Sequence, residues 1–363
     1  MGKLLSRLWP VFQYPCHRCL QILDKVWTNM SEYATNPETM VQVHQHSQHA
    51  NRAWQYMKKE QKVIKKHLVE DAESAIPEGH LRFVCISDTH SKIENGVFQV
   101  PSGDVLIHAG DFTMIGLPKD IDKFNKYLGT LPHKVKIVIA GNHDLTFDQD
   151  MVKSNREELT TMFGVTEENF EAYMTEKKLT EVKELMTNCI YLEDASVNIY
   201  GIKIYGSPWQ PKFGGWGFNL PRGQALLDKW NMIPADTEIL ITHGPPIGHG
   251  DYCFDGARAG CVELLTTVQQ RVRPKYHIFG HIHEGYGVTT DGVTTYINAS
   301  TCTLRYKTDN AAVVFDFPIP EGHTKEEVLN LYVQPATPVK RPTETQSTTS
   351  YDDNVDVEFT EED

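Results

Sequence analysis

Hydrophobic positions change rhythm along this chain. From Leu81 onward short apolar runs recur: Phe83-Val84-Cys85-Ile86, Val105-Leu106-Ile107, Val135-Lys136-Ile137-Val138-Ile139, Ile239-Leu240-Ile241 and Tyr276-His277-Ile278-Phe279. Runs that do not alternate with polar residues are how parallel strands covered on both faces read. Between them, residues 119–131 carry Ile121, Phe124, Tyr127 and Leu128 at three- and four-residue spacing, which predicts a helix with one buried stripe. Residues 221–230 and 261–271 read as further helices. Residues 190–205 read as short hairpin strands, and residues 293–298 and 311–317 as the last strands. Strands alternating with helices in this way specify an α/β domain.

The flanks have a different pattern. Residues 1–35 mix Leu, Trp and Phe with basic residues, as an amphipathic helix lying on a membrane would. Residues 36–75 read as a polar helical extension, and Pro77 and Gly79 punctuate the entry to the core. Residues 150–187 are charged and helix-prone, either a lid or a solvated insertion. Beyond Pro318 the chain is rich in Pro, Thr and acids, and residues 341–363 hold eight Asp or Glu against Arg341 alone. Such a composition buries no core and is expected to be a disordered tail. The expected organisation is therefore an extension over 1–80, a catalytic domain over 81–317 and an acidic tail over 318–363.

Length and charge narrow the class. The 363 residues suffice for one large domain with extensions, and a net charge of -13 argues against a general nucleic-acid binder. The seven Cys have no disulfide-like rhythm, so buried thiols in an intracellular, cytoplasmic protein are expected. No apolar run reaches the ~20 residues of a membrane span. Met1-Gly2-Lys3-Leu4-Leu5-Ser6 fits the N-myristoylation pattern, with Gly2 as acceptor. Basic residues and Cys16 and Cys19 nearby could supply the second signal that stable anchoring needs. Peripheral membrane contact through the N-terminus is thus one expectation, and an ordinary unstructured start is the other. Cys16-His17-Arg18-Cys19 lacks the second ligand pair of a zinc finger.

The chemistry lies where the apolar runs stop. Five of them end in metal-ligand residue types: Asp88 and His90, Asp111, Asn142 and His143, His243, and His281 and His283. In an open sheet such ends gather at one edge. A single histidine at a strand end is usually only hydrogen-bonded, but five such endings are not expected by chance. The set offers oxygen and imidazole without thiolate, which suits two divalent ions of the Mn, Fe or Zn kind. Gly110, Gly141, Gly244 and Gly280 flank these ends and permit close backbone approach.

In order, these blocks resemble the calcineurin-like metallophosphoesterase superfamily across residues 81–317. Gly141-Asn142-His143-Asp144, Thr242-His243-Gly244-Pro245-Pro246, Phe279 to Gly287 and Ile297-Asn298-Ala299-Ser300 are closer still to its fetal-brain 239 subgroup. The resemblance implies an αββα sandwich of two central sheets flanked by helices. It implies two divalent ions, Mn2+ first and Fe, Zn or Mg as alternatives, with a bridging hydroxide as nucleophile. Asp88, His90 and His283 would hold one ion, Asn142, His243 and His281 the other, and Asp111 would bridge them. His143 would be a substrate-facing, non-ligand catalytic residue. Asp144 stands where many members have Glu, and would orient His143. Some subgroup members lack the first histidine of the Gly-His-x-His block, whereas this chain keeps His281.

The subgroup resemblance points to a phosphodiesterase acting on cyclic nucleotides or nucleotide-like diesters. Trp209, Phe213, Trp216 and Phe218 share one glycine-rich loop and could stack a nucleobase, or simply cover the core. Arg222, His249, Asp251 and Arg258 are candidate phosphate or ribose contacts. Two other readings stay open: a protein phosphatase with the same metal core, and a nucleotide sensor or scaffold of low activity.

Overall fold

A computed structural model describes residues 41–66, 72–154, 167–199, 201–330 and 337–338; Gly2, Cys16, Cys19 and residues 341–363 lie outside them. In chain order the elements are α1 (Ala50–Met57), β1 (Ile64–Lys66), β2 (His80–Ile86), β3 (Val105–Ala109), α2 (Pro118–Thr130), β4 (Val135–Ile139), α3 (Gln149–Ser154) and α4 (Glu167–Lys177). They continue as β5 (Ile190–Tyr191), β6 (Ala195–Ile199), β7 (Ile202–Ser207), β8 (Gln210–Pro211), β9 (Asn219–Leu220), α5 (Gln224–Asn231), β10 (Ile239–Thr242), α6 (Val262–Thr266) and β11 (Tyr276–Phe279). The last are β12 (Gly287–Thr290), β13 (Thr295–Asn298), β14 (Val313–Pro318), α7 (Lys325–Asn330) and β15 (Thr337–Pro338).

Two sheets form the centre. One has the order β14-β2-β3-β4-β5, and the other β1-β12-β13-β11-β10-β7-β6-β15. In the first, β2 to β5 are parallel and β14 runs against β2. In the second, β7, β10, β11 and β13 form the parallel centre. Period-two geometry sorts each strand's side chains to two faces. Leu81, Phe83 and Cys85 of β2 enter one core with Ile107, Ile137, Ile204, Ile241, Ile278 and Ile297, drawn from both sheets. Val84 and Ile86 face the other way, with Ile121, Phe124 and Leu128 of α2 and Met174 of α4. On the far side of the second sheet, Tyr205, Leu240, Phe279 and Tyr296 pack against α5 and α6. The result is a helix, sheet, sheet, helix sandwich, as the resemblance implied. Each large apolar side chain fully buried there contributes about 1.5–3 kcal/mol relative to exposure.

The region before the core differs from its sequence reading. The described residues between 36 and 75 contain one short helix rather than a helical arm. Ala53 of α1 is fully buried in the cluster beneath α5 and α6, and β1 pairs antiparallel with β12 as an edge strand. A three-residue strand with exposed side chains, Ile64-Lys65-Lys66, has no pattern to read and is made only by the edge it completes. The charged insertion also packs low. Met174 of α4 sits in the cluster under the first sheet, so the described part of residues 150–187 is no lid. Cys85, Cys189, Cys253, Cys261 and Cys302 are free thiols. Among the described residues no helix is long and apolar enough to cross a membrane.

Candidate metal centre

Every strand end singled out above reaches the same place. β2, β3 and β4 are neighbours in the first sheet, and β10 and β11 in the second, so their carboxyl ends open towards one another along one edge. Ligand-type atoms of Asp88, His90 and His283 lie within 4.8 Å of one another, as do those of Asp88, Asp111 and His243, and those of His90, Asp111 and His143.

The chain turns sharply at these residues. Asp88, His90, Asp111 and His281 have φ of 51°, 44°, 56° and 68°, the left-handed region that residues with a Cβ normally avoid. Backbone bonds hold the turns: Asp88 N–H donates to Gly110 O at 2.9 Å, and His90 N–H to Asp111 O at 3.0 Å. Strain of this kind collects at functional sites. Gly280 shows the crowding, because a Cβ there would collide with the Asp88 carboxylate and the Ser87 side chain.

Hydrogen bonds fix the imidazoles. His243 Nδ1 donates to Ala109 O at 2.9 Å, and His283 Nδ1 to Thr303 O at 3.0 Å. By that assignment each presents Nε2 inward, as a lone pair when the ring is neutral and as a donor when it is protonated. His243 Nε2 then faces Asn142 Oδ1 at 2.9 Å and Asp111 Oδ2 at 3.4 Å. His283 Nε2 faces His90 Nε2 at 3.2 Å and Asp88 Oδ1 at 3.4 Å. His281 Nδ1 closes on the same Asn142 oxygen at 2.7 Å. Lone pairs converging in this way repel unless a cation lies among them, so the donor set fits divalent metal.

The charge balance agrees. Burial pushes the Asp111 carboxyl up, but His243, His143 and His90 outweigh it and hold it well below the usual range. Burial likewise opposes ionisation of Asp88, and the hydrogen bond and charge of His283 overcome it. Burial lowers His243, yet Asp111 and Asp88 pull it up to about 9. His90 and His281, dominated by burial, fall to about 4 and about 3. A field that holds a proton on His243 at neutral pH is one that a divalent ion can satisfy in its place.

His143 lies beside His90 and Asp111. Its Nδ1 donates to Met114 O at 2.8 Å, and its backbone N–H donates to Asp111 Oδ1 at 2.8 Å. Trp216 stacks on its ring at 3.9 Å. Asp144 does not orient it directly, contrary to expectation. One oxygen of Asp144 accepts from Thr113 N–H and Oγ1 at 2.9 and 2.7 Å, and the other from Gly141 N–H at 2.9 Å. The shorter side chain ties the turn after β3 to the turn after β4, and so sets the carbonyl of Met114 that holds the imidazole. Burial, reinforced by Asp111, pushes the Asp144 carboxyl up to about 7.

The expected substrate contacts fare differently. Trp209 donates to Asp194 at 2.9 Å and lies under Lys229, packed edge-on against Phe218; it covers the core. Arg222 spends its guanidinium on the carbonyls of Gly260 and Ala259 at 2.7 and 2.8 Å. His249 is buried against Tyr296 and paired with Thr289. Asp251 and Arg258 pair with each other. The Trp209, Arg222, Asp251 and Arg258 groups named here are spent on partners inside the fold, and His249 keeps Nε2 buried without a partner among the described residues. The rings that do border the centre are Trp216, Phe213, 6.1 Å from His281, and Tyr306, 4.9 Å from His90. Tyr306 was not singled out from the sequence, because it follows the last ligand in a polar loop without a motif. Ser300, quoted above within a motif but given no role, donates to Asp88 Oδ2 at 2.9 Å.

The calcineurin-like phosphoesterase family model matches residues 81–285. Metallophosphoesterase domain-containing protein 1 of Homo sapiens is 56% identical over 251 residues, spanning 68% of this chain and 74% of its own length. A UPF0046 protein of Caenorhabditis elegans is 46% identical over 287 residues, spanning 79% of this chain and 72% of its own.

Proposed function

Since the chain belongs to the calcineurin-like phosphoesterase family, and is by that membership a metal-dependent phosphoester hydrolase, we propose that it hydrolyses phosphodiesters, cyclic nucleotides or related nucleotide-like diesters first among them, with Mn2+ as the working ion and Fe, Zn or Mg as alternatives. Asp88, His90 and His283 would hold one ion, Asn142, His243 and His281 a second, and Asp111 would touch both. Ions so held supply an acidified water and positive charge beside the phosphoryl oxygens.

The observation that carries the reading is the placing of His143. It lies beside the proposed ligands with its Nδ1 committed to Met114 O, so Nε2 is the atom it presents, and in this reading it presents that atom to the substrate. A proton on Nε2 can stabilise charge growing on the phosphoryl group, or pass to the departing alkoxide. Asp111 anchors the backbone of His143, so the acid and the candidate bridging carboxylate keep a constant separation. Trp216 shields one face of the imidazole from water and leaves less freedom for the ring.

The test is hydrolysis of bis-p-nitrophenyl phosphate and of 2′,3′- and 3′,5′-cyclic nucleotides by the Mn-loaded chain. Turnover of diesters is expected. Activity confined to monoesters, or to a phosphopeptide, rejects the diester reading, and a fully metallated protein inert on every ester makes the chain a scaffold or sensor.

A further inference from the structure

Tyr306 stands beside the candidate metal centre, outside the proposed ligand set and outside the hydrophobic cores. Its ring meets three imidazoles, with centroids 4.9 Å from His90, 5.7 Å from His283 and 6.5 Å from His143. It joins none of the three hydrophobic cores, and 39% of it is exposed. Its hydroxyl makes no hydrogen bond among the described residues. A solvent-facing aromatic ring of this kind is ordinary when it costs nothing. This one costs backbone strain, because Tyr306 has φ of 54°, a conformation a bulky side chain adopts only when something over-determines it.

What holds it is the turn that also fixes a ligand. Tyr306 N–H donates to Thr303 O at 2.8 Å, and Thr303 N–H to Lys307 O at 2.8 Å. The same Thr303 carbonyl accepts the Nδ1 proton of His283 at 3.0 Å. The strained turn therefore presents the Tyr306 ring at a fixed height over the His90 and His283 end of the centre. Trp216 covers a face of His143, and Tyr306 meets that imidazole edge-on, at an interplanar angle of 66°. His143 faces the leaving group in the reading above, so a leaving group departs beside these two rings.

We propose that Tyr306 is a substrate-contacting, specificity-determining residue, whose exposed ring stacks on a flat group attached to the phosphate, a nucleobase or an aryl ring, and so favours nucleotide esters over ones without such a group. This rests on the phosphoester reading of the same centre. Stacking on an aromatic ring is sequence-tolerant, since every base has a π-face, so the preference is for a flat ring and not for one base.

The experiment uses the full Mn-loaded chain, with AMP and inorganic phosphate as calorimetric probes and metal content measured alongside. The wild type is expected to bind AMP about tenfold more tightly than phosphate, in the range a lost base stack allows. Tyr306→Leu should bring AMP to within about twofold of phosphate, leaving phosphate affinity and metal content unchanged, while Tyr306→Phe keeps the preference. Equal affinities in the wild type overturn the inference, as does a Tyr306→Leu protein that still prefers AMP. Parallel loss of metal and of phosphate binding in Tyr306→Leu also overturns it, by making the ring a brace for His90. Turnover separates the two readings. A wild type inert on every ester defeats the phosphodiesterase reading while the AMP preference stands or falls on its own. An active enzyme whose AMP preference ignores Tyr306→Leu defeats this inference alone.

Discussion

Asp111 offers its two oxygens to different neighbours: Oδ1 accepts the His143 backbone N–H at 2.8 Å, and Oδ2 faces His243 Nε2 at 3.4 Å and His90 Nε2 at 3.9 Å. One carboxylate thus touches both halves of the ligand set and the candidate acid. An amide in its place loses the negative charge that offsets two cations and turns one acceptor into a donor. Asp111→Asn should therefore reduce metal at both positions, read as metal content after gel filtration. His143→Ala should keep full metal content and lower kcat about 100- to 1,000-fold, the usual cost of one donor to developing charge. If His143→Ala emptied a position, the imidazole would be a ligand and its separation from the set an error. The ligand types themselves were legible in sequence, because each closes an apolar run. The role of Asp144 was not. A carboxylate one position after His143 suggests an orienting partner, and only the approach of Thr113 from another turn shows where its oxygens go.

At the scale of elements, what could be read was local and what could not was register. The continuous runs at 83–86, 105–107, 135–139, 239–241 and 276–279 became β2, β3, β4, β10 and β11, and 119–131 became α2 within one residue at each end. Arg82 shows the limit. It stands in β2 among apolar residues and is 2% exposed, a placement no pattern recommends. Antiparallel pairing sets it opposite Asp316 of β14, and the guanidinium grips that carboxylate through Nε and Nη2 at 2.9 and 2.8 Å while donating to the Ser74 carbonyl at 2.7 Å. Breaking a buried pair leaves an uncompensated charge, worth about 3–5 kcal/mol. Arg82→Ala should lose that much in chemical denaturation. Arg82→Lys should recover little of it, because a single ammonium does not reproduce the two-pronged grip. A Lys variant of wild-type stability would show that only charge matters there. The misplaced substrate residues have the same cause: Trp209, Arg222 and His249 are polar or aromatic near motifs, and their partners, Asp194, the carbonyls of Ala259 and Gly260, and Thr289, come from other elements.

Across the whole molecule the proposed metal ligands divide between the two sheets. Asp88, His90, Asp111 and Asn142 leave the first, and His243, His281 and His283 the second. Ions bound among them would tie the layers of the sandwich together, so binding to the folded chain stabilises the fold by mass action, about 2.7 kcal/mol at a hundredfold excess over Kd. For a domain of this size that is roughly 5–10 °C in Tm. The increment depends on pH through His243. Its folded-state pKa is raised to about 9 by Asp111 and Asp88, over the opposing effect of burial. Without metal, the protonated imidazole contributes stability that is complete below its ordinary value near 6.5 and is lost as pH rises through about 9. A metal must displace that proton, so its affinity weakens as pH falls below about 9, by up to about tenfold per unit. The two are one proton linkage seen from the metal-free and the metal-bound side, and it makes the increment grow as pH rises. The difference in Tm between Mn-loaded and chelator-treated protein should be larger at pH 8.5 than at pH 6.5, and Mn2+ binding at neutral pH should release a proton to the buffer. An increment that does not change between those values would mean that His243 is already neutral in the metal-free fold, and that Asp111 faces it without holding its proton.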